Sequence, residues 1–205
     1  YADTLLILMP VAGIIGVLNV PAYFRFIIHL QQFIAFIFGL VLSSCFVLIP
    51  AKKGKSKNYI PWYDLIFSII MIAEGLYIAV NYQTIMVDVG VTMLHRVVLG
   101  ILAVSLTIEA ARRVVGLPFI IIILVFVAYA LFASHFPGGF QTKSISVQDL
   151  ATYLYLDPQG LLGIPMGVAA TIVLVFLLFG QTISSVGVSR LFNDLAFAFM
   201  GKYRG

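Results

Sequence analysis

Hydrophobic residues lie along this chain in long runs, and short segments rich in Pro, Gly or charged residues separate one run from the next. Each run is close to the ~20 residues that an α-helix needs to cross a bilayer. The pattern predicts an all-α fold: a polytopic membrane helical bundle of about six transmembrane helices plus short interfacial helices. The predicted spans cover residues 4–20, 26–49, 60–80, 91–112, 117–135 and 164–185.

The composition supports a membrane protein and excludes several other classes. The sequence is 62% hydrophobic and 10% charged, and its mean hydropathy is +1.11. A soluble domain needs a larger share of polar surface. The isoelectric point near 9.2 reflects Lys and Arg in the connections, so we predict no nucleic-acid partner. Cys45 is the single cysteine, which excludes an intrachain disulfide and a cysteine-rich metal site.

The distribution of basic residues between the connections predicts the orientation in the membrane. Three alternate segments hold nine of the twelve Lys and Arg residues, namely Lys52, Lys53, Lys55, Lys57, Arg112, Arg113, Arg190, Lys202 and Arg204. The opposite set holds Arg25, Arg96 and Lys143. Since cytoplasmic loops are enriched in Lys and Arg, we expect the first set to be cytoplasmic. Six spans then place the N-terminus in the cytoplasm as well, in a multi-pass protein of a bacterial inner membrane.

Two segments outside the spans have helical patterns of their own. In residues 144–163, Ser146 followed by Asp149 resembles a capping box. The sequence is equally compatible with an interfacial helix and with an ordinary periplasmic loop in this segment. The apolar face of that helix would hold Leu150, Tyr153 and Leu154. A cytoplasmic interfacial helix is predicted in residues 189–205. Its apolar positions are Leu191, Leu195 and Phe199, its polar positions Arg190 and Asp194, and its stop Gly201.

Charged residues within or beside the spans are costly in a membrane, so each is a functional candidate. The structural ion-pair candidates are Glu74, Arg96, Glu109, Arg112, Arg113, Arg25 and His29. Glu109 can pair locally with Arg112 and Arg113 at i,i+3 and i,i+4 spacing. Glu74 and Arg96 are predicted to lie at similar depths on antiparallel neighbours, with His95 as a second possible partner of Glu74. Arg25 and His29 are predicted to share one helix face.

These candidates have alternative interpretations. Arg112 and Arg113 at a helix C-terminus are typical of a topology anchor with a local ion pair, and the alternative is a role in packing or gating. Glu74 with Arg96 is typical of structural pairing, and the alternative is direct transport or a proton relay.

Enzyme chemistry has little support in the sequence. The motifs H-E-x-x-H and G-x-S-x-G are absent, so no catalytic, cofactor or metal site is predicted. The histidines show no ligand spacing; they are His29, His95 and His135. Gly163 and Gly167 have the spacing that permits close approach of helices.

Several ordered segments carry a resemblance to a known family. They are RFIIHLQQFIAFIFGLVL, IPWYDLIFSIIMIAEGLY, EAARRVVGLPFIIIILVFVAYALFASHFPG, LYLDPQGLLGIPMGVAATIVLVFLLFGQTISSVG and LAFAFMGKYRG. They resemble the fused permeases of tripartite ATP-independent periplasmic (TRAP) transporters. The resemblance covers most of the chain and is strongest from Glu109 to Gly205.

The resemblance implies a division of the chain and a set of partners. Residues 1–116 would be the Q-type four-helix membrane part, residues 117–162 a connecting transmembrane helix and periplasmic loop, and residues 163–205 the start of the M-type permease part. Such permeases work with a periplasmic substrate-binding protein and are driven by a sodium gradient. The implied partners are that binding protein, the remainder of the M-type permease and membrane lipids.

The resemblance also limits what these residues can do. In this family, sodium and substrate bind in the large part, beyond this chain, so we expect no cofactor here and sodium ions only for the complete transporter. The chain begins with Tyr1 and ends in GKYRG, and we expect it to be a fragment. The predicted function is the scaffold-bearing portion of a sodium-coupled organic-acid permease. The alternative is a membrane assembly or anchoring protein with no transport activity of its own.

Overall fold

The computed structural model describes residues 2–25, 27–51, 61–88 and 93–200, and within these ranges the chain is helical with no strand. The α-helices are α1 (Ala2–Val17), α2 (Val20–Tyr23), α3 (Leu30–Leu48), α4 (Trp62–Val87), α5 (Leu94–Val114), α6 (Leu117–Phe132), α7 (Val147–Leu156), α8 (Ile164–Val168), α9 (Leu174–Ser185) and α10 (Val188–Met200). A π-helical segment, Ala169–Val173, joins α8 to α9. The predicted all-α membrane bundle is confirmed.

Five helices in the described ranges are long and apolar enough to cross a membrane. They are Leu30–Leu48, Trp62–Val87, Leu94–Val114, Leu117–His135 and Ile164–Ser185. The first predicted span, residues 4–20, corresponds to α1, which ends at Val17 because Leu18 and Asn19 form a turn with Asn19 in the left-handed conformation, φ 49°. Pro21 does not close this span but lies in the first turn of α2, where proline is tolerated.

The helices α3 and α4 form the centre of the bundle, and their backbones touch. A Cβ on Gly75 would lie 2.6 Å from the carbonyl oxygen of Ala35 and 3.0 Å from the Cα of Gly39. Two glycines facing each other are therefore what allows this approach, as in other close pairs of membrane helices. The hydroxyls of Ser43 and Ser68 add a hydrogen bond of 2.6 Å across the same interface. The predicted G-x-x-x-G pair behaves differently: Gly167 faces the Ile34 side chain, whereas Gly163 packs against the turn at Gly160.

Of the two interpretations of residues 144–163, the structure favours a helix, α7, over an ordinary loop. The Ser146 hydroxyl caps the helix by accepting a hydrogen bond from the Asp149 backbone N–H at 3.1 Å. The helix packs along α5, where a Cβ on Gly100 would lie 2.7 Å from the carbonyl oxygen of Ala151. Its buried residues are Ala151 and Tyr155. The face that docks on α5 is not the predicted apolar face, on which Tyr153 is exposed and Leu150 and Leu154 are half-buried.

Helix boundaries differ from the predicted spans at several points. Helix α3 begins at Leu30 because His29 is extended and its N–H donates to the Gln32 side chain at 2.8 Å. Helix α4 runs on to Val87, well beyond residue 80. The polar run that follows residue 80 does not end it, and within this run the Asn81 side-chain amide donates to the Tyr77 carbonyl at 2.9 Å. Residues 91 and 92, the predicted start of the fourth span, lie outside the described residues.

The remaining helices pack around this centre with large exposed apolar faces. Buried residues make up 56% of the most apolar stretch of α3, but only 11% of that of α6 and 11% of that of Ile164–Ser185. Helix α10 exposes Leu191, Leu195 and Phe199, and its predicted stop at Gly201 lies outside the described residues. The exposed apolar surface is what a membrane protein presents to lipid or to further membrane segments.

Candidate functional site

A buried ion-pair network, the inner cluster, lies at the end of the bundle where α5 finishes. The Arg113 guanidinium donates to the Asp64 carboxylate at 2.7 Å, to Glu109 at 2.9 Å and to the Ile49 carbonyl at 3.2 Å. The side chains of Arg113 and Asp64 are 1% and 0% exposed. The carbon at the centre of the guanidinium also lies 4.8 Å from the centroid of the Phe46 ring, within the range of a cation–π interaction. One arginine thus connects the ends of α3, α4 and α5.

Local sequence places each member of the inner cluster. Pro61 precedes the first turn of α4 in an extended conformation, and Asp64 lies in that turn, where a carboxylate is favoured by the helix dipole. Arg112 and Arg113 lie in the last turn of α5, where cations are favoured for the converse reason. Because α4 and α5 are antiparallel, these two termini meet.

Glu109 is shared by both arginines. It accepts from the Arg112 Nε at 2.7 Å and from the Arg113 Nε at 2.9 Å, at the i,i+3 and i,i+4 spacings that the sequence indicates. The Arg112 side chain is 35% exposed, and its further contact is a 3.4 Å hydrogen bond to the Ala51 carbonyl. Sequence reasoning missed Asp64. The sequence did contain a signal for this ion pair, because Asp64 and Arg113 fall at the same end of adjacent predicted spans.

At the opposite end of the bundle, the predicted pairing of Glu74 with Arg96 was wrong. The Arg96 side chain instead bonds the Asp88 carboxylate at 3.0 Å. Asp88 directly follows the C-terminus of α4, and Arg96 lies in the first turn of α5. The extension of α4 to Val87 explains the error: Glu74 is about 20 Å from that end at ~1.5 Å per residue, whereas Arg96 is about 3 Å from the start of α5.

Arg25 and His29 do not share a helix face as predicted. Arg25 follows α2 with a φ of 60°, and His29 is the extended residue before α3, so both lie in the connection between two helices. The His29 ring lies 5.4 Å from the Tyr82 ring, centroid to centroid, which brings it to the C-terminal part of α4. His95 stacks edge-on against Tyr77 with the centroids 6.5 Å apart and is not hydrogen-bonded to Glu74.

Glu74 lies midway along α4 beside the docked helix α7. It is 2% exposed, and neither carboxylate oxygen has a hydrogen-bond partner among the described residues. The Tyr155 hydroxyl donates to the Glu74 backbone carbonyl at 3.1 Å. Burial raises the pKa of Tyr155 well above its usual range, so this hydroxyl remains a proton donor.

The described residues do not form a metal centre, since no group of three His, Cys, Asp or Glu side chains among them could hold an ion. A groove of about 570 Å³ opens between α1 and α3. Its lining is mostly apolar, and its Gln32 amide is already engaged, donating to the Ala79 carbonyl at 2.6 Å. Among the described residues, the buried ion pairs therefore lie at the two ends of the bundle, and the Glu74 carboxyl lies between them without a hydrogen-bond partner.

The fold and these clusters define the class: a multi-pass, all-α membrane protein whose buried charges lock its helices together. The sequence matches the family model of the DctM component of tripartite ATP-independent periplasmic transporters over residues 99–205. The chain belongs to this family, and its resemblance to TRAP permeases is confirmed. The family is one of transporters rather than enzymes, and its permeases work with a periplasmic binding protein and other membrane components. Comparisons with curated proteins and with solved structures give no match.

Proposed function

We propose that this chain is part of the membrane permease of a sodium-coupled secondary transporter for organic acids, supplied by a periplasmic substrate-binding protein. The observation that carries the proposal is the DctM match, which begins within α5 and runs through the last residue. The nine-to-three distribution of basic residues supports a location in the inner membrane with a cytoplasmic N-terminus.

Within that permease, the chain supplies the scaffold and lacks the transport core. Two features support this role. The Gly39–Gly75 contact and the Arg113 network tie α3, α4 and α5 into one block. The exposed apolar faces of α6 and of Ile164–Ser185 offer surface to lipid and to the rest of an M-type permease. The division into a Q-type part at residues 1–116, a connection at 117–162 and an M-type start at 163–205 belongs to the same proposal.

The proposal is tested by transport in proteoliposomes. The permease polypeptide that contains these residues is reconstituted with its periplasmic binding protein, and radiolabelled pyruvate and succinate serve as the probes. We expect uptake that requires both the binding protein and an inward sodium gradient. A sodium ionophore should abolish uptake, and ATP should have no effect.

Two outcomes would contradict parts of this proposal. Uptake that persists after the sodium gradient is dissipated would overturn sodium coupling. No uptake of any labelled acid, with the binding protein still recruited to the liposomes, would favour a protein that assembles or anchors partners without transport. The ion-pair network of α3, α4 and α5 would serve such an anchor equally well.

A further inference from the structure

Glu74 is a carboxylic acid buried in the apolar middle of a membrane-spanning helix. It lies about 18 Å from Trp62 and about 20 Å from Val87 along α4, at ~1.5 Å per residue. Its side chain is 2% exposed, and both oxygens lack a hydrogen-bond partner within the described ranges. The other acids of α4 and α5 and at their ends have cations: Asp64 is held by Arg113, Asp88 by Arg96, and Glu109 by Arg112 and Arg113.

The helices packed against α4 bring no cation to Glu74. Helix α3 contains no Asp, Glu, Lys, Arg, His or Tyr. Helix α5 carries His95, Arg96, Glu109, Arg112 and Arg113; His95 stacks on Tyr77, and the others pair at the two ends of the bundle. Helix α7 carries Asp149, Tyr153 and Tyr155, and α4 itself carries Tyr63, Asp64, Tyr77 and Tyr82. The Tyr155 hydroxyl donates to the backbone carbonyl of Glu74 and not to its carboxylate.

Among the residues that the structure describes, an ionised carboxylate in this position would have neither a donor nor a counter-ion, and its burial would keep it from bulk water. The free-energy cost of such a charge is several kcal/mol or more, and a buried acid avoids it by taking up a proton. The protonated form leaves one O–H to satisfy, whereas the ionised form leaves a full charge. Geometry alone thus favours the neutral acid.

We propose that Glu74 is a proton-binding residue: its carboxyl group is the neutral acid while α7 is docked, and it can release the proton only when water or a cation reaches it. The docking of α7 matters because Tyr155, 1% exposed, covers the backbone of α4 at this residue, and because the Gly100–Ala151 contact brings the backbones of α5 and α7 together. This proposal concerns the folded bundle and does not depend on the proposed transport function.

The first test measures the carboxylic acid directly by infrared spectroscopy of the purified permease polypeptide in lipid at pH 7. We expect the wild-type protein to show a C=O stretching band of a protonated carboxyl group that Glu74→Gln loses. Asp194→Asn is the matched control: Asp194 is exposed on α10, and this variant should keep the band. A spectrum that Glu74→Gln leaves unchanged would overturn the proposal.

The second test needs no folded variant. Dicyclohexylcarbodiimide reacts with protonated carboxyl groups in apolar surroundings, so it should modify Glu74 in wild-type membranes and leave the Asp194 peptide unmodified, as read by mass spectrometry. Modification should decline as pH rises. Modification of Asp194 to the same extent as Glu74 would overturn the proposal. Protection of Glu74 by sodium chloride but not by choline chloride would also overturn it, in favour of a sodium site.

Discussion

Removing the Arg113 side chain should destabilise the bundle far more than removing its neighbour Arg112. Both arginines bond Glu109. They differ in that Arg113 is buried and also bonds the Asp64 carboxylate, whereas Arg112 is partly exposed. Arg113→Met leaves the Asp64 carboxylate 0% exposed and without its cation. Breaking a buried pair in this way costs about 3–5 kcal/mol. Arg112 is 35% exposed, and a pair of that kind contributes about 0–1 kcal/mol.

Removing the charge of Asp64, the partner of Arg113, should lower the free energy of unfolding by less than removing Arg113 does. Asp64→Asn removes the charge but leaves Arg113 with Glu109 and with the Ile49 carbonyl at 3.2 Å, so the guanidinium is not stranded. The expected order of destabilisation is therefore Arg113→Met, then Asp64→Asn, then Arg112→Met. In the double variant the two buried changes should be less than additive, with a coupling of about 0.5–3 kcal/mol.

The assay is the unfolding free energy of the detergent-solubilised permease polypeptide, followed by helical circular dichroism during titration with a denaturing detergent. All variants are compared at one protein and detergent concentration. The reasoning would be refuted if Arg113→Met and Arg112→Met destabilised equally, or if Asp64→Asn and Arg113→Met were strictly additive. Either result would mean that water or lipid headgroups reach the inner cluster.

Two further predictions concern packing and orientation. Gly75→Ala should destabilise by about 1–3 kcal/mol, as overpacking does, because the new methyl would meet the backbone of α3; Gly180→Ala on α9 has open space and should be neutral or slightly stabilising. Equal melting temperatures for the two alanine variants would count against the glycine contact. In a Cys45→Ser background, Lys143→Cys should react with a membrane-impermeant maleimide from outside intact cells and Lys53→Cys should not. Labelling at position 53 from outside would contradict the predicted orientation.

The sequence alone was sufficient to predict the class of fold and the ion pairs within one helix. Hydrophobic run lengths placed the five long helices, because bilayer thickness fixes the length of a spanning helix. The pairing of Glu109 with Arg112 and Arg113 followed from helical spacing alone, which needs no knowledge of neighbouring helices.

Contacts between helices depend on where each helix ends and how it is rotated about its axis, and the sequence pattern does not determine either. The polar residues after position 80 suggested an end to the third span, but α4 continues to Val87. That extension moved Glu74 to the middle of the helix and gave Arg96 a different partner in Asp88. An error of two turns in one boundary therefore changed the predicted ion pair completely.

The rotation of α4 links the glycine contact to both buried acids. Asp64, Ser68, Met71, Gly75 and Ile78 are all buried, and their spacings of four, three, four and three residues place them on one stripe of the helix. The rotation that puts Gly75 against α3 therefore also puts Asp64 inside the bundle, where a cation must neutralise it, and Arg113 does so. Glu74 lies one residue beside the stripe, and its backbone carbonyl accepts the hydrogen bond from Tyr155 of α7. A substitution that turns α4 at the glycine contact should consequently disturb the surroundings of Glu74, which is next to Gly75, and also the inner cluster, although Asp64 lies about three helical turns from Gly75.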